Sequence, residues 1–230
     1  MRGLWVIPTP IGNLEDITLR ALALLRDADV IWCEDTRQSQ KLLRHYGIQK
    51  PLRSLHAHNE HGRVERLFDE ATARQWTAAL ITDSGMPGIS DPGYLAIQQA
   101  LKRHIPVQVL PGPSAFVVAL VGSGLPAHRF TFEGFFPRKG QNTYLQKLQS
   151  EERTLIWYEA PHRLVKTLEL LQSYFGPNRP ACVARELTKQ HETYHRGTLG
   201  SLYEHFLAHR PRGECVIVVA GHSYTLPESQ

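Results

Sequence analysis

The stretch Ile81-Thr-Asp-Ser-Gly-Met-Pro-Gly-Ile-Ser-Asp-Pro-Gly93 gathers the residues best suited to ligand chemistry. Three glycines (Gly85, Gly88, Gly93) let the backbone come close to a ligand, and two prolines (Pro87, Pro92) fix the loop's shape. The loop carries Asp83 and Asp91 but no Lys or Arg. It matches neither glycine-rich phosphate motif, both of which rely on backbone donors or a lysine. Two carboxylates on such a loop suit a polar or cationic ligand better. An apolar run at 78–81 precedes the loop, and residues with helical spacing follow at 94–103. Strand, glycine loop and helix form the unit that places a site at the carboxyl end of a parallel sheet. Ser90 or Asp91 is expected to cap the helix, with Pro92 at its first position.

The same arrangement recurs. Apolar runs at 4–7, 30–33, 52–55, 78–81 and 107–110 read as strands separated by helical segments, which predicts a doubly wound, mostly parallel sheet. Asp16 is expected to cap the first helix. Each run leads into unusual residues: Pro8-Thr-Pro-Ile-Gly-Asn13, Glu34-Asp-Thr-Arg37, His58-Asn-Glu60, the Asp83 loop, and Pro111-Gly-Pro-Ser-Ala115. In a parallel sheet these ends share one edge, so five weak signals become one candidate site.

The rhythm changes near Gly122-Ser-Gly-Leu-Pro126, which divides the chain into expected domains 1–121 and 122–230. The second half has strands with fewer crossover helices, so a mixed sheet is expected there. The chain has 230 residues, 42% hydrophobic and 21% charged, as in ordinary globular proteins. Its three cysteines are widely spaced and form no C-x-x-C pair, so a reducing, cytoplasmic setting is expected, with neither disulfide framework nor cysteine zinc site. His56, His58 and His61 lack the carboxylate or cysteine company of a metal site, and no metal is expected. No apolar run is long enough to span a membrane. A net charge of +4 permits a nucleic-acid partner without requiring one.

Taken together, Pro8-Thr-Pro-Ile-Gly-Asn-Leu-Glu-Asp-Ile-Thr18, Cys33-Glu-Asp-Thr-Arg37, His58-Asn-Glu60, the Asp83–Gly93 loop, Pro111-Gly-Pro-Ser-Ala115 and Ala184-Arg-Glu-Leu-Thr-Lys189 resemble the bacterial small-subunit ribosomal RNA (cytidine-2′-O)-methyltransferases. Those enzymes are a branch of the tetrapyrrole methylase superfamily, and the match runs in order from Leu4 to about Gly221. The resemblance implies two α/β domains, the first with a mostly parallel sheet and the second with a mixed one, and a cofactor cleft between them. It implies S-adenosylmethionine as cofactor. The acceptor would be the ribose 2′-hydroxyl of a cytidine in the decoding region of small-subunit (16S) RNA, presented in the assembled particle. A homodimer is also implied. By position, Pro10, Asp83, Met86, Ser114, Ala115, Tyr158, Ala184 and Leu187 would line the cofactor pocket. The resemblance departs at the carboxyl end, where members carry a small helical extension and this sequence has only residues 222–230 after its last strand, so the resemblance implies cofactor binding more firmly than RNA affinity.

The chemistry asks for a positioned base, because a ribose hydroxyl is a poor nucleophile. Glu186, Glu34 and Lys189 are the catalytic candidates, with Glu60 and His58 as further bases. Arg37, His58, Asn59, Arg163 and Arg185 are candidate contacts to RNA, the arginines through phosphates. Two other readings fit the same residues: a methyltransferase acting on a tetrapyrrole, and a non-catalytic RNA-binding assembly factor.

Overall fold

Short apolar runs between glycine- and proline-rich turns can satisfy their backbone groups only by pairing with one another. In the computed structural model, which describes residues 1–56 and 60–225, they do so in two separate sheets. The chain divides into Met1–Ser114 and Ala115–Gln230.

The first unit contains β1 (Gly3–Val6), α1 (Leu19–Asp27), β2 (Val30–Cys33), α2 (Thr36–His45), β3 (Leu52–Ser54), α3 (Glu60–Ala73), β4 (Thr77–Leu80), α4 (Tyr94–Lys102) and β5 (Val107–Val109). The five strands lie in the order β3-β2-β4-β1-β5, and every pairing is parallel. Alternation along each strand feeds two cores. Ile7, Ile31, Cys33, Ala79 and Ile81 meet α1 and α2 through Leu22, Leu25, Leu42 and Leu43 on one face. Leu4, Val6, Val30, Trp32, Ala78 and Leu80 meet α3 and α4 through Val64, Leu67, Phe68 and Ala96 on the other. The strand order also sets the connections. β1 and β2 lead toward the β3 side, whereas β4 leads toward β5. Chain direction therefore reverses beside β4, and the loops after β1 and β4 flank the point where such sheets open a crevice.

The second unit contains α5 (Ala115–Ser123), β6 (Phe130–Phe135), α6 (Gln141–Leu148), β7 (Thr154–Glu159), α7 (Pro161–Phe175), β8 (Pro180–Arg185), β9 (Thr193–Thr198), α8 (Leu199–Ala208) and β10 (Cys215–Val219). Its sheet runs β6-β7-β10-β8-β9, with β6 parallel to β7 and the other pairs antiparallel, the expected mixed sheet. Trp157, Val183 and Ile217 anchor its core against Leu164, Leu168, Leu199 and Phe206. The division falls ahead of α5, not at the expected 121/122. The apolar helix α5 packs on β7, β8 and β10 and belongs to the second sheet, so the glycine cluster at 122–124 marks only its end.

Two capping expectations are corrected. Thr18, not Asp16, caps α1, accepting the Ala21 amide at 3.0 Å. Gly93 stands at the start of α4 and neither Ser90 nor Asp91 caps it; the cap comes from Glu60, described below.

Trp32 and Phe68 meet edge to face at 4.9 Å, both essentially without solvent exposure. Phe68→Ala should destabilise the first unit by about 3–5 kcal/mol, the range for emptying a buried aromatic site. Urea unfolding followed by tryptophan fluorescence measures it.

Candidate functional site

The carboxyl edge of the first sheet is built on a reciprocal backbone pair. Thr9 and Gly85 each donate an amide to the other's carbonyl, at 3.0 and 3.1 Å. The buried Thr9 hydroxyl adds a bond to the Thr82 carbonyl at 3.0 Å. The turn after β1 is thereby fixed to the Asp83 loop. The turn after β5 closes on it too: a Cβ at Gly112 would stand 2.8 Å from Pro8 Cβ, so only glycine lets the two turns meet.

The far end of the loop is held by Glu60. One oxygen of this buried carboxylate accepts the amides of Gly93, Leu95 and Ala96 at 3.0, 3.0 and 3.3 Å. It caps α4 from another element and satisfies amides left open at the helix start. That use removes Glu60 from the candidate bases. Gly93 has φ 131°, a conformation that L side chains rarely adopt, and a Cβ there would lie 3.1 Å from the Gly88 amide nitrogen.

Between these anchors lies an acidic cluster. Asp83 Oδ1 accepts the Asp35 amide at 3.1 Å. Asp91 is pushed up to about 7, first by burial and then by the charges of Glu34 and Asp83. Burial followed by the Asp83 charge raises Glu34, and burial with the Asp35 charge raises Asp83 against the pull of the Asp35 amide. Like charges crowded at one edge resist ionisation together, so a cationic ligand group is favoured there. Asp35 caps α2, accepting the Arg37 amide at 2.8 Å, and also pairs with the exposed Arg37 guanidinium at 3.2 Å. The described residues contain no group of three or more His, Cys, Asp or Glu arranged to hold a metal ion.

In the second unit, the segment after β8 is strained. Glu186 and Thr188 both have left-handed backbones, φ 52° and 62°. For residues other than glycine this costs about 1–3 kcal/mol each and persists only where neighbours impose it. Here they do. Glu186 Oε1 accepts Lys189 Nζ at 3.1 Å and the Glu214 amide at 3.0 Å, and Lys189 Nζ also reaches Glu214 Oε2 at 2.7 Å. The Glu186 side chain lies across Gly213, where a Cβ would collide with its carboxylate. Burial works to raise the Glu186 carboxyl, but the Glu214 amide and the Lys189 ammonium outweigh it and leave it below the usual range. Burial likewise opposes the Lys189 charge, and the two carboxylates prevail and raise it. A cavity of about 500 Å³ opens beside this network, lined by Arg185, Glu186, His191, Thr193, Arg212 and Gly213 among others.

The remaining candidates divide clearly. Pro10 is buried in the turn after β1, and Met86 and Ser114 are half-buried. Ala115 begins α5 and is half-buried. Tyr158 packs against Phe132 and Phe135 at 4.9 and 5.4 Å. Ala184 and Leu187 are buried. Arg163 and Arg185, expected to meet RNA, are occupied internally. Arg163 donates to the Phe136 and Pro137 carbonyls at 3.2 and 3.1 Å and pairs with buried Glu159 at 3.4 Å. Arg185 donates to the Arg212 carbonyl at 2.8 Å, Thr193 Oγ1 at 3.2 Å and the His191 carbonyl at 3.4 Å. Both guanidiniums serve architecture. His58 and Asn59 lie outside the described residues. Thr9 lies in the turn marked from the sequence, but its pairing with Gly85 was not foreseen, nor were the roles of Gly213 and Glu214. The glycine at 213, followed by a carboxylate just ahead of the last strand, was the available signal for the latter two.

Comparison with known proteins adds the following. The family model of Tetrapyrrole (Corrin/Porphyrin) Methylases matches residues 3–203. A Synechocystis protein named ribosomal RNA small subunit methyltransferase I is 47% identical over 220 residues, covering 95% of this chain and 78% of that protein. A Hydrogenobaculum protein of the same name is 44% identical, covering 98% of this chain and 99% of its own length. Among solved structures, uroporphyrin-III C-methyltransferase from Thermus thermophilus superposes with a TM-score of 0.66 at 21% identity, covering 96% of this chain and 95% of that one. At that identity the likeness concerns the fold alone.

The acidic cluster has a measurable signature. The folded-state carboxyl of Asp91 lies above its unfolded value, so its contribution to stability is present at low pH and lost as pH rises from about 4 through about 7. Asp91→Asn should therefore raise the thermal midpoint of the ligand-free protein at pH 8. The gain should shrink through neutrality and vanish below about pH 4.

Proposed function

Because the chain belongs to the tetrapyrrole (corrin/porphyrin) methylase family, we propose that it is an S-adenosylmethionine-dependent methyltransferase acting on small-subunit ribosomal RNA. The finer reading is 2′-O-methylation of a cytidine ribose in the decoding region, on the assembled particle, by a cytoplasmic homodimer. The observation that carries the substrate is the set of relatives at 40–47% identity, each named ribosomal RNA small subunit methyltransferase I.

The residues fit the cofactor's chemistry. Its sulfonium and amino groups are cationic, and at the first sheet's edge burial, with the charges of neighbouring carboxylates, raises Glu34, Asp83 and Asp91. Pro10, Asp83, Met86 and Ser114 from the first unit, and Ala115, Tyr158, Ala184 and Leu187 from the second, are the proposed cofactor residues. S-adenosylmethionine supplies an electrophilic methyl group on a sulfur that is its own leaving group. The protein's task is then alignment and exclusion of water, worth about 7–11 kcal/mol of barrier when geometry is right.

Removal of the ribose hydroxyl proton calls for a base whose pKa lies near the working pH. Glu34, raised by burial and by Asp83, meets that demand better than Glu186, which is lowered and bonded to Lys189. We assign Glu34 as the base, and Glu186 as the anion that orients Lys189 toward a substrate phosphate. Arg37, exposed beside Asp35, remains a proposed RNA contact, as do His58 and Asn59.

The protein should transfer label from methyl-labelled S-adenosylmethionine to one cytidine ribose of small subunits that lack the modification. No transfer to particles or to naked RNA, with cofactor still bound, would sink the reading. Asp83→Asn should weaken cofactor binding by tenfold or more in calorimetry. Glu34→Gln should lower the transfer rate about a hundred-fold at pH 7 while cofactor binding changes little. An equal loss in both for Glu34→Gln would instead make it a binding residue.

A further inference from the structure

The second unit bears a row of histidines that none of the proposed chemistry uses. His195 on β9 packs against His205 on α8 at 4.6 Å between ring centres, with the planes 36° apart. His205 stacks on His209 at 4.9 Å and 25°. The buried Phe206 ring stands edge-on to both His195 and His205, at 4.9 Å each, and fixes the row from beneath. The row ends at His209, which is exposed.

Its surroundings are cationic. Arg210 and Arg212 are exposed in the loop that leads from α8 to β10, and His191 is exposed in the loop before β9. Among the described residues neither Arg210 nor Arg212 forms an ion pair. The carboxylates at the cavity are engaged, since Glu186 and Glu214 hold Lys189 and Glu192 accepts the Thr188 amide at 2.5 Å, whereas Glu204, next to His205 on α8, is exposed. Arg185 ties the rim together, since its guanidinium bonds the Arg212 and His191 carbonyls and Thr193 Oγ1. Thr193 lines the cavity, and His195 lies two residues along β9 on the same face of the sheet. The ring stack and the cavity, which Arg212 lines, therefore share one face of the sheet, and Arg210 follows His209 directly in the chain.

We propose that this surface is a track for single-stranded RNA, with phosphates on Arg210 and Arg212 and an unstacked base on the open face of His209. Stacked rings beside cations are how proteins hold splayed bases and the backbone between them. The choice of RNA over another polyanion rests on the proposed function; the surface itself does not.

Fluorescence anisotropy of the full chain with a labelled single-stranded RNA of decoding-region sequence, over a salt series, tests the proposal. Arg210→Ala/Arg212→Ala changes exposed side chains only. It should weaken binding tenfold or more at low salt and reduce the log–log salt slope by about 0.7 for each phosphate no longer neutralised. His209→Ala should cost about fivefold or more, with the slope nearly unchanged. Unaltered affinity and slope in both variants would overturn the track, and so would absence of RNA binding by the unaltered chain. Equal competition by polyglutamate would overturn the choice of RNA. Methyl transfer measured on the same samples separates the two readings. Transfer that persists with variants indistinguishable from the parent removes the track and keeps the enzyme. RNA binding that depends on Arg210 and Arg212 without any transfer removes the enzyme and keeps the track.

Discussion

Two hydrogen bonds between Thr9 and Gly85 hold the first unit's site in shape. They occur where the sheet's connections part company, with β1 leading one way and β4 the other. Without them the turn after β1 and the Asp83 loop would be independent surface loops. With them the two form one surface, and the Gly112–Pro8 contact adds the turn after β5. Glu60 closes the far end by gathering three amides on a single buried oxygen. A loop rich in glycine is costly to order. Here rigidity is supplied from outside the loop, which leaves its own carboxylates available for a ligand.

That availability has an electrostatic consequence. Burial raises Glu34, Asp83 and Asp91; beyond it, the Asp83 charge raises Glu34, the Glu34 and Asp83 charges raise Asp91, and the Asp35 charge raises Asp83. In the second unit the opposite holds: Glu186 and Glu214 surround Lys189, and Glu186 is lowered. Identical side chains thus have different uses. A carboxylate that resists ionisation can accept a proton or welcome a cation, whereas one already paired can only orient its partner.

Much of this was legible in the sequence because it follows from local patterns. Apolar runs of four and their glycine-rich exits marked the strands and their shared edge, and the Asp83 loop stood out by composition. Long-range partners were harder to read. Nothing near Gly93 indicates that Glu60, 33 positions earlier, caps α4. The sequence marks Arg163 and Arg185 as basic, but only the fold reveals that their guanidiniums bond to their own unit's carbonyls. The boundary was misplaced for a related reason: glycines at 122 and 124 punctuate the chain, yet α5 joins whichever sheet its apolar surface covers.

Fold alone would not choose the acceptor. The architecture is shared at 21% identity with an enzyme named for a uroporphyrin, so topology leaves the substrate open. What separates substrates must lie in exposed residues that the fold does not require. Arg210 and Arg212 are such residues: both are exposed, neither forms an ion pair among the described residues, and Arg212 lines the cavity with Glu186 and Arg185. His209 is exposed as well, with its Nδ1 3.1 Å from the His205 carbonyl at the end of α8. Arg185 is the counter-example, equally basic and equally near, but used to hold the rim. Basic residues in this unit therefore fall into those the architecture uses and those it leaves for a partner, and acceptor choice has to be sought among the second group.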